Sequence, residues 1–278
     1  MVVFAVSTMF FHEYTIGEIM SAVGAAGLDS VEFWVETPAF WLAGQPGDEI
    51  KKARDVYPVM ERATLHAPIL DLNPTSVNPV IAEVSVRFVC DSVRLAAGTG
   101  FPLVTVHPGR RTAKRPPGPA DCAKFERYIR ALEEVSRESG VKVAMENMEN
   151  RINALVSTPE GMRDLLDREE WLSFTLDLSH AMADGPGVAS RYIDLCGDRL
   201  VNVHVSAGRE GRMHLPPSGD PGVSGVLDRL SRSAYRGHLT LEIEDLALPR
   251  PLSYRQKIAL LSHESGFMKG FFGESTNL

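Results

Sequence analysis

A repeated alternation of short apolar runs with longer helical segments limits what this chain can fold into more than any other feature. Each run is rich in β-branched or apolar residues, and each following segment places apolar residues at helical spacing. Strands that alternate with helices in this way form parallel sheets with crossover helices. The alternation repeats eight times, which is the number of units that closes a (β/α)8 barrel.

The eight units predict an α/β fold, a single (β/α)8 TIM barrel. The predicted strands cover residues 2–7, 30–36, 63–67, 103–107, 142–147, 173–178, 201–205 and 239–243. The predicted helices cover residues 15–26, 48–57, 78–97, 120–139, 159–167, 188–196, 223–232 and 254–271. A doubly wound open sheet is the alternative, but no GxGxxG turn follows the first strand. A length of 278 residues fits one barrel better than two small domains, so we expect residues 1–278 to form one domain.

Composition limits the kinds of metal site and binding partner that this chain can have. The formal net charge of −7 opposes non-specific binding to nucleic acid. Cys90, Cys122 and Cys196 are far apart and in no CxxC spacing, so a bound metal would be held by histidines and carboxylates. No apolar run approaches the length of a membrane span, and the start lacks a basic leader and a cleavage site. We therefore expect a cytoplasmic protein that does not contact a membrane.

Six consecutive predicted strands, the third to the eighth, carry a histidine or a carboxylate at their carboxyl ends. These residues are His66, His107, Glu146, Asp177, His204 and Glu242, with His180 three residues after Asp177. Active sites of (β/α)8 barrels lie at this end of the barrel, so we expect these side chains to converge. Imidazole and carboxylate ligands together suit Zn²⁺, Mn²⁺, Co²⁺ or Mg²⁺.

A structural explanation competes with the functional one at several of these positions. His66 or His107 taken alone is as readily a hydrogen-bonded structural residue as a ligand. A carboxylate inside an apolar strand is costly to bury without a partner, which favours a functional role for the acidic residues. Glu32 in the second strand either joins the same mouth or pairs with an internal Arg or Lys. Four aromatic residues after the first two strands either line the pocket or pack in the core: Phe10, Phe11, Trp34 and Trp41.

The residues at the strand ends resemble the xylose-isomerase-like TIM barrels, which include sugar isomerases and epimerases and the type IV apurinic endonucleases. The motifs that carry the resemblance are LHAP at His66, TVHPG at His107, AMEN at Glu146, LDLSHA at Asp177 and His180, VHVS at His204 and LEIE at Glu242. The resemblance implies that Glu146, Asp177, His204 and Glu242 bind one divalent cation. It further implies that Glu146 and Glu242 form an acid/base pair and that His180 contacts substrate.

The residue types fit this chemistry without the resemblance. A cation bound to a carbonyl oxygen and the adjacent hydroxyl oxygen acidifies the intervening C–H bond and stabilises the enediolate. Two opposed carboxylates allow epimerisation, and one shuttling carboxylate suffices for aldose to ketose isomerisation. The leading prediction is therefore an isomerase or epimerase of a sugar or sugar phosphate with one divalent metal ion (Zn, Mn, Co or Mg).

The DNA-repair branch of the family provides the alternative prediction, a zinc-dependent phosphodiesterase that acts on damaged DNA. In that branch the positions of His66, His107 and His180 also bind metal, in a three-zinc cluster. The cluster needs an Asp-x-His pair after the seventh strand, and this chain has Arg212-Met213-His214 there. Two or three zinc ions follow from this alternative, although the arginine argues against the third. Arg212 then either meets a phosphate or carboxylate of a small substrate or is exposed to solvent.

The loop after the fourth strand places four cations beside the predicted mouth: Arg110, Arg111, Lys114 and Arg115. Such a loop binds a sugar phosphate, binds the phosphates of a nucleic-acid backbone, or is only exposed to solvent. We expect a small sugar or sugar phosphate as the partner and favour nucleic acid less, and the resemblance implies a homo-oligomer. A barrel that only senses a polyol or an anion is a third hypothesis, but simple binding needs no matched acid and base.

Overall fold

Eight parallel strands close into a barrel in the computed structural model, which describes residues 1–36, 47–185, 187–209 and 211–273. The barrel strands are β1 (Val3–Ser7), β2 (Ser30–Trp34), β3 (Thr64–His66), β4 (Leu103–Val106), β5 (Lys142–Glu146), β6 (Ser173–Asp177), β7 (Leu200–Val205) and β10 (His238–Leu241). Their order around the barrel is β1-β10-β7-β6-β5-β4-β3-β2. An antiparallel hairpin, β8 (Ala207–Arg209) with β9 (Arg212–Leu215), follows β7.

Helices follow the strands and cover the outside of the barrel. They are α1 (Ile16–Ala25), α2 (Gly47–Val56), α3 (Pro79–Thr99), α4 (Pro119–Ser139), α5 (Pro159–Arg168), α6 (Leu178–Ala183), α7 (Val188–Cys196), α8 (Pro221–Ser231) and α9 (Tyr254–Phe272). Short 3-10 turns lie at Thr8–Phe11, Pro58–Met60, Gly197–Arg199 and Asp245–Ala247. The predicted (β/α)8 barrel is confirmed, and the ends of the predicted strands and helices lie within two residues of those observed.

Local capping signals fix where several helices begin. Thr15 caps α1 in a capping box with Glu18. Thr158 and Asp220 cap α5 and α8, and each is followed by a proline in the first turn. Asp177 caps α6, because its Oδ1 accepts a hydrogen bond from the backbone N–H of His180. This short helix, which the sequence analysis did not predict, turns the chain directly after β6 and keeps His180 beside the barrel mouth.

The interior of the barrel contains a layer of polar side chains below the mouth. Alternate residues of the strands point outward into the apolar core under the helices, as Phe174 and Leu176 do. The residues between them point inward. We call six of these inward residues, all fully buried, the polar layer: Glu32, Thr64, Thr105, Thr175, Asn202 and Thr240.

Four further predictions concern the chain as a whole. Among the described residues, no helix has the length and apolar character needed to cross a membrane. The extent of the domain over residues 1–278, the cytoplasmic location and the homo-oligomer stay predictions.

Candidate metal centre

Four buried ligand side chains meet at the mouth of the barrel. We call Glu146, Asp177, His204 and Glu242 the central cluster; one ligand atom from each lies within 4.8 Å of all the others. Around Nδ1 of His204, Oε2 of Glu242 lies at 3.0 Å, Oε1 of Glu146 at 3.5 Å and Oδ2 of Asp177 at 3.9 Å. The strand register produces this convergence, because Asp177 on β6 lies beside His204 on β7.

Three of these four atoms make no hydrogen bond although they are buried, since Nδ1 of His204 and Oε2 of Glu242 lie close together but without hydrogen-bond geometry. The described residues contain eight such side-chain atoms. Four of the eight are at this one place: Oδ2 of Asp177, Nδ1 of His204, Nδ1 of His214 and Oε2 of Glu242. Buried polar atoms in native proteins are nearly always paired, so a group of unpaired atoms marks a site for a ligand or an ion.

Two further groups of metal-ligand type flank the central cluster and share residues with it. They are His66–His107–Glu146 and Asp177–His180–His214. Nε2 of His66 and Nε2 of His107 each lie 3.2 Å from Oε2 of Glu146. Because Oε1 of Glu146 belongs to the central cluster, this carboxylate offers one oxygen to each of two neighbouring positions.

Two of the histidines, His66 and His204, are oriented by a hydrogen bond at the ring nitrogen that does not face the cluster. Nδ1 of His66 lies 2.8 Å from the carbonyl oxygen of Ala67. Nε2 of His204 lies 2.8 Å from Oε1 of Glu32. A hydrogen bond to a carbonyl or carboxylate at one nitrogen is the usual arrangement of metal-binding histidines, because it leaves the lone pair of the other nitrogen free. In His180 the hydrogen-bonded nitrogen instead faces the cluster, because Nδ1 lies 3.0 Å from the carbonyl oxygen of Asn147 and 3.5 Å from Oε1 of Glu146.

The two carboxyl groups proposed as the acid/base pair have pKa values displaced in opposite directions. Burial raises the pKa of Glu146, but His107 and His204 outweigh it and hold that pKa well below its usual value. Burial also raises the pKa of Glu242, and here it outweighs His204 and His214, so the pKa is raised. Groups of one type whose pKa values are pushed apart are suited to separate acid and base roles.

A cavity of about 390 Å³ opens above the central cluster. Both Glu146 and Glu242 line it, together with Trp34, Asp71 and His214. Asp71 and His214 have φ values of 55° and 56°, the only positive values among the described residues other than glycine. Side chains in this backbone region cost free energy, so two such residues on one cavity wall point to a functional surface.

The predicted anion-binding residues lie in different environments. Arg110 lines the cavity. The guanidinium of Arg111 is engaged elsewhere, with the carbonyl oxygen of Pro116 and the carboxylate of Asp121. Arg212 is exposed on β9 and is not among the residues that line the cavity. A role for any of these arginines in binding a substrate stays a prediction.

The aromatic residues after the first two strands also divide. Trp34 lines the cavity, whereas Phe10 and Phe11 are fully buried in the core. Trp41 lies outside the described residues.

Several residues of the site were missed or left open by the sequence analysis. Asn147 accepts the backbone N–H of Asp177 and donates its amide to the carbonyl oxygen of the same residue, which joins the ends of β5 and β6. The AMEN motif contains this asparagine, but nothing in the motif indicates its partner. Arg151, which lines the cavity and pairs with Glu149, lies in a loop without a recognisable pattern. Glu32 joins neither an Arg nor a Lys among the described residues; it contacts His204.

A family model described as the xylose isomerase-like TIM barrel matches residues 20–263. The chain belongs to this family. It is 30% identical to an uncharacterized protein of Methanocaldococcus jannaschii over 267 residues, which are 95% of this chain and 97% of that protein. It is also 27% identical to a probable endonuclease 4 of Mycobacterium tuberculosis over 213 residues, which are 74% of this chain and 75% of the relative.

Solved structures of sugar 3-epimerases share the fold. A D-tagatose 3-epimerase-like protein superposes with a TM-score of 0.76 at 22% identity, over 97% of this chain and 98% of that one. An L-ribulose 3-epimerase superposes with a TM-score of 0.77 at 17% identity, over 98% and 95% of the two chains. At these identities the likeness shows the fold alone.

Proposed function

We propose that this chain is a divalent-metal-dependent isomerase or epimerase that moves a proton on a small sugar or sugar phosphate. The observation that carries the proposal is the central cluster, in which four buried ligand atoms converge while Glu146 and Glu242 both face the cavity. A cavity that combines a cation site with two carboxylates provides the groups that proton transfer next to a carbonyl needs.

The central cluster fits a divalent cation. Metal–ligand bonds of about 2.0 to 2.2 Å place neighbouring ligand atoms roughly 3 to 4 Å apart. The distances from Nδ1 of His204 to the three carboxylate oxygens, 3.0 to 3.9 Å, fall in that range. Glu146, Asp177, His204 and Glu242 would hold the ion, and one imidazole with three carboxylates suits Zn²⁺, Mn²⁺, Co²⁺ or Mg²⁺. A bound cation supplies polarisation of the substrate carbonyl and stabilises negative charge on its oxygens.

The protein side chains supply the proton transfer. One carboxylate of the Glu146 and Glu242 pair removes the proton from the carbon next to the substrate carbonyl, which leaves an enediolate. If the other carboxylate returns a proton to the opposite face of that carbon, the configuration inverts and the product is an epimer. If one carboxylate moves the proton between neighbouring carbons, the product is an isomer. His180 also lines the cavity and offers its second ring nitrogen to a substrate hydroxyl.

The size and charge of the cavity support a small sugar as the substrate. Its volume of about 390 Å³ lies within the range of about 300 to 1,000 Å³ that is typical of small-molecule sites. Arg110 and Arg151 line it and favour a substrate that carries a phosphate or a carboxylate. Two solved structures of the same fold are named as a D-tagatose 3-epimerase-like protein and an L-ribulose 3-epimerase, so ketoses and their phosphates are the first compounds to test.

The test is turnover of these ketoses in D₂O by metal-loaded protein, followed by NMR of the product and of deuterium at the exchanged carbon. Glu146→Gln and Glu242→Gln should each lower the rate by at least about 100-fold, because a positioned acid or base contributes about that much or more. Glu244→Gln is the matched control, since Glu244 lies two residues after Glu242 and outside the metal-ligand groups. Full activity in either of the first two variants would contradict the mechanism.

A metal-dependent phosphodiesterase that acts on abasic DNA is the second candidate. The His66–His107–Glu146 group favours this candidate. His66 and His107 both contact Oε2 of Glu146, and a single cation in the central cluster would leave these two histidines without a role as ligands. Elemental mass spectrometry on protein purified without added metal or chelator separates the candidates. About one ion per chain supports the isomerase or epimerase. Two or three zinc ions, with nicking of a duplex that carries an abasic site, support the phosphodiesterase.

A further inference from the structure

Glu32 lies on β2, and no step of the proposed reaction uses it. Its side chain is fully buried in the polar layer, directly below the central cluster. Oε1 lies 2.8 Å from Nε2 of His204. Oε2 accepts hydrogen bonds from Nδ2 of Asn202 at 2.8 Å, from Thr64 at 3.2 Å and from Thr105 at 3.4 Å. The amide of Asn202 and the two threonine hydroxyls all donate to Glu32, so the site is built for a carboxylate, whose oxygens only accept.

This arrangement decides which nitrogen of His204 carries hydrogen. An ionised carboxylate only accepts, so Nε2 of His204 must donate to Glu32. In a neutral imidazole the other nitrogen, Nδ1, then keeps its lone pair. Nδ1 is the atom that faces Glu146, Asp177 and Glu242, and it has no hydrogen-bond partner.

We infer that Glu32 is a positioning residue, which fixes the Nε2–H tautomer of His204 and thereby prepares Nδ1 to bind the metal ion. The inference rests on the proposed metal site. Outer carboxylates that hold a ligand histidine in this way raise metal affinity by about 10- to 100-fold. Glu32 also restricts the motion of the His204 ring. Its own side chain is fixed in place, because Oε2 of Glu32 accepts hydrogen bonds from Asn202, Thr64 and Thr105.

Glu32→Gln tests the inference, because a carboxamide has the same shape but only one acceptor oxygen. If that oxygen stays with Asn202, the NH₂ group faces Nε2 of His204, which must then accept, and the ring hydrogen moves to Nδ1. If the oxygen faces His204, the NH₂ group meets the amide of Asn202. Asn202 cannot turn to relieve this contact without losing the hydrogen bond that its Oδ1 accepts from Thr240.

The first measurement is the dissociation constant for Zn²⁺ and Mn²⁺, by competition with a fluorescent chelator. We expect Glu32→Gln to bind metal about 10- to 100-fold more weakly than the wild type. Thr175→Val is the matched control, because it removes a hydrogen bond from the same layer while its partner Thr105 can still donate to Glu32. Both variants should lower the melting temperature of the metal-free protein, but only Glu32→Gln should weaken metal binding.

The second measurement needs no variant and therefore does not depend on whether Glu32→Gln folds. ¹⁵N NMR of the imidazoles in the zinc-loaded wild type should show the ring hydrogen of His204 on Nε2. A hydrogen on Nδ1, or metal affinity in Glu32→Gln within about threefold of wild type, would overturn the inference. A wild-type protein that binds neither ion at this site would instead overturn the proposed function.

Discussion

Two adjacent layers inside the barrel contain buried carboxylates in opposite conditions. In the polar layer, both oxygens of Glu32 accept hydrogen bonds, and the neighbouring threonines and asparagine also bond to one another. In the central cluster just above, Oδ2 of Asp177 and Oε2 of Glu242 have no hydrogen-bond partner. His204 belongs to both layers, since Nε2 is bonded below and Nδ1 is unpaired above.

The difference separates what holds the barrel together from what it is built to bind. A buried polar group left without a partner costs about 1 to 3 kcal/mol. The polar layer avoids this cost by pairing its groups within the protein. In the central cluster several buried atoms remain unpaired, so this free-energy cost remains. One bound cation would interact with all of these atoms and so remove the cost. Buried polar atoms without partners therefore locate the ligand site more sharply than burial or charge alone.

The largest expected effect comes from removing one ligand of the central cluster. Asp177→Asn keeps Oδ1, which caps α6 by accepting from the N–H of His180, but replaces the unpaired Oδ2 with an NH₂ group. We expect metal affinity to fall by more than about 100-fold, because losing even an outer partner of a ligand costs about 10- to 100-fold. Isothermal titration with Mn²⁺ measures the affinity, and circular dichroism checks that the fold is kept.

Asp184→Asn is the control for this change. Asp184 is an exposed aspartate shortly after α6 that bonds to the backbone N–H of Asn150. It should bind metal as the wild type does. If Asp177→Asn also kept its affinity, the unpaired oxygen of Asp177 would not belong to a metal site, and the contrast between the two layers would fail.

A smaller effect is expected in the polar layer, where a substitution should lower stability but leave metal affinity unchanged. Thr105→Val is isosteric and removes the hydroxyl that lies 3.0 Å from Thr175 and 3.4 Å from Glu32. We expect a loss of about 2 kcal/mol in the free energy of unfolding, because the partner hydroxyl is left unpaired in the barrel interior. Urea unfolding of the metal-free protein measures this loss. Metal affinity should stay within about threefold of wild type, because Glu32 keeps its contacts with Asn202, Thr64 and His204. A large drop would show that Thr105 is also needed to hold Glu32 against His204.

The fold was predictable because its signals are local. Strand and helix periods, and caps such as Thr15 and Asp220, lie within a few residues of the elements that they define. The hairpin of β8 and β9 was missed because each strand is only three or four residues long, too short for an alternating pattern to appear. Helix α6 was missed for the same reason, since it has only six residues.

Site residues at the carboxyl ends of the barrel strands were predictable, because active sites of (β/α)8 barrels lie there. The hydrogen-bond partners of interior side chains were not predictable. Glu146 and Asp177 are the last residues of their strands and His204 is the last but one of β7, so their convergence in a closed barrel follows from topology. The partner of Glu32 is His204, 172 positions away, and no local pattern indicates which interior group a strand residue will meet. Neighbouring residues can also diverge, because Arg110 lines the cavity while Arg111 turns to Asp121.

The smallest expected effect concerns a carboxylate at the rim that is hydrogen-bonded like Glu32 but costly to ionise. Oε1 and Oε2 of Glu36 accept from the backbone N–H groups of Leu70 and Ile69, both at 2.6 Å. Burial nevertheless raises the pKa of Glu36 from 4.5 to about 7. The two hydrogen bonds and the nearby His66 lower this pKa, whereas the charge of Asp71 raises it further. Pairing therefore does not remove the cost of burying the charge.

Glu36→Gln measures that cost through its dependence on pH. Between about pH 4.5 and 7 the folded protein binds more protons at Glu36 than the unfolded chain does, so the contribution of Glu36 to stability falls as pH rises and levels off above 7. The unfolding free energy of wild type minus that of Glu36→Gln should decrease by about 1 kcal/mol over this window. The full shift would give about 3 kcal/mol, but water partly screens the group. Urea unfolding from pH 5 to 8 measures the difference, with Glu61→Gln as an exposed control. A difference that does not change with pH would mean that the two backbone N–H groups compensate the buried charge of Glu36 fully.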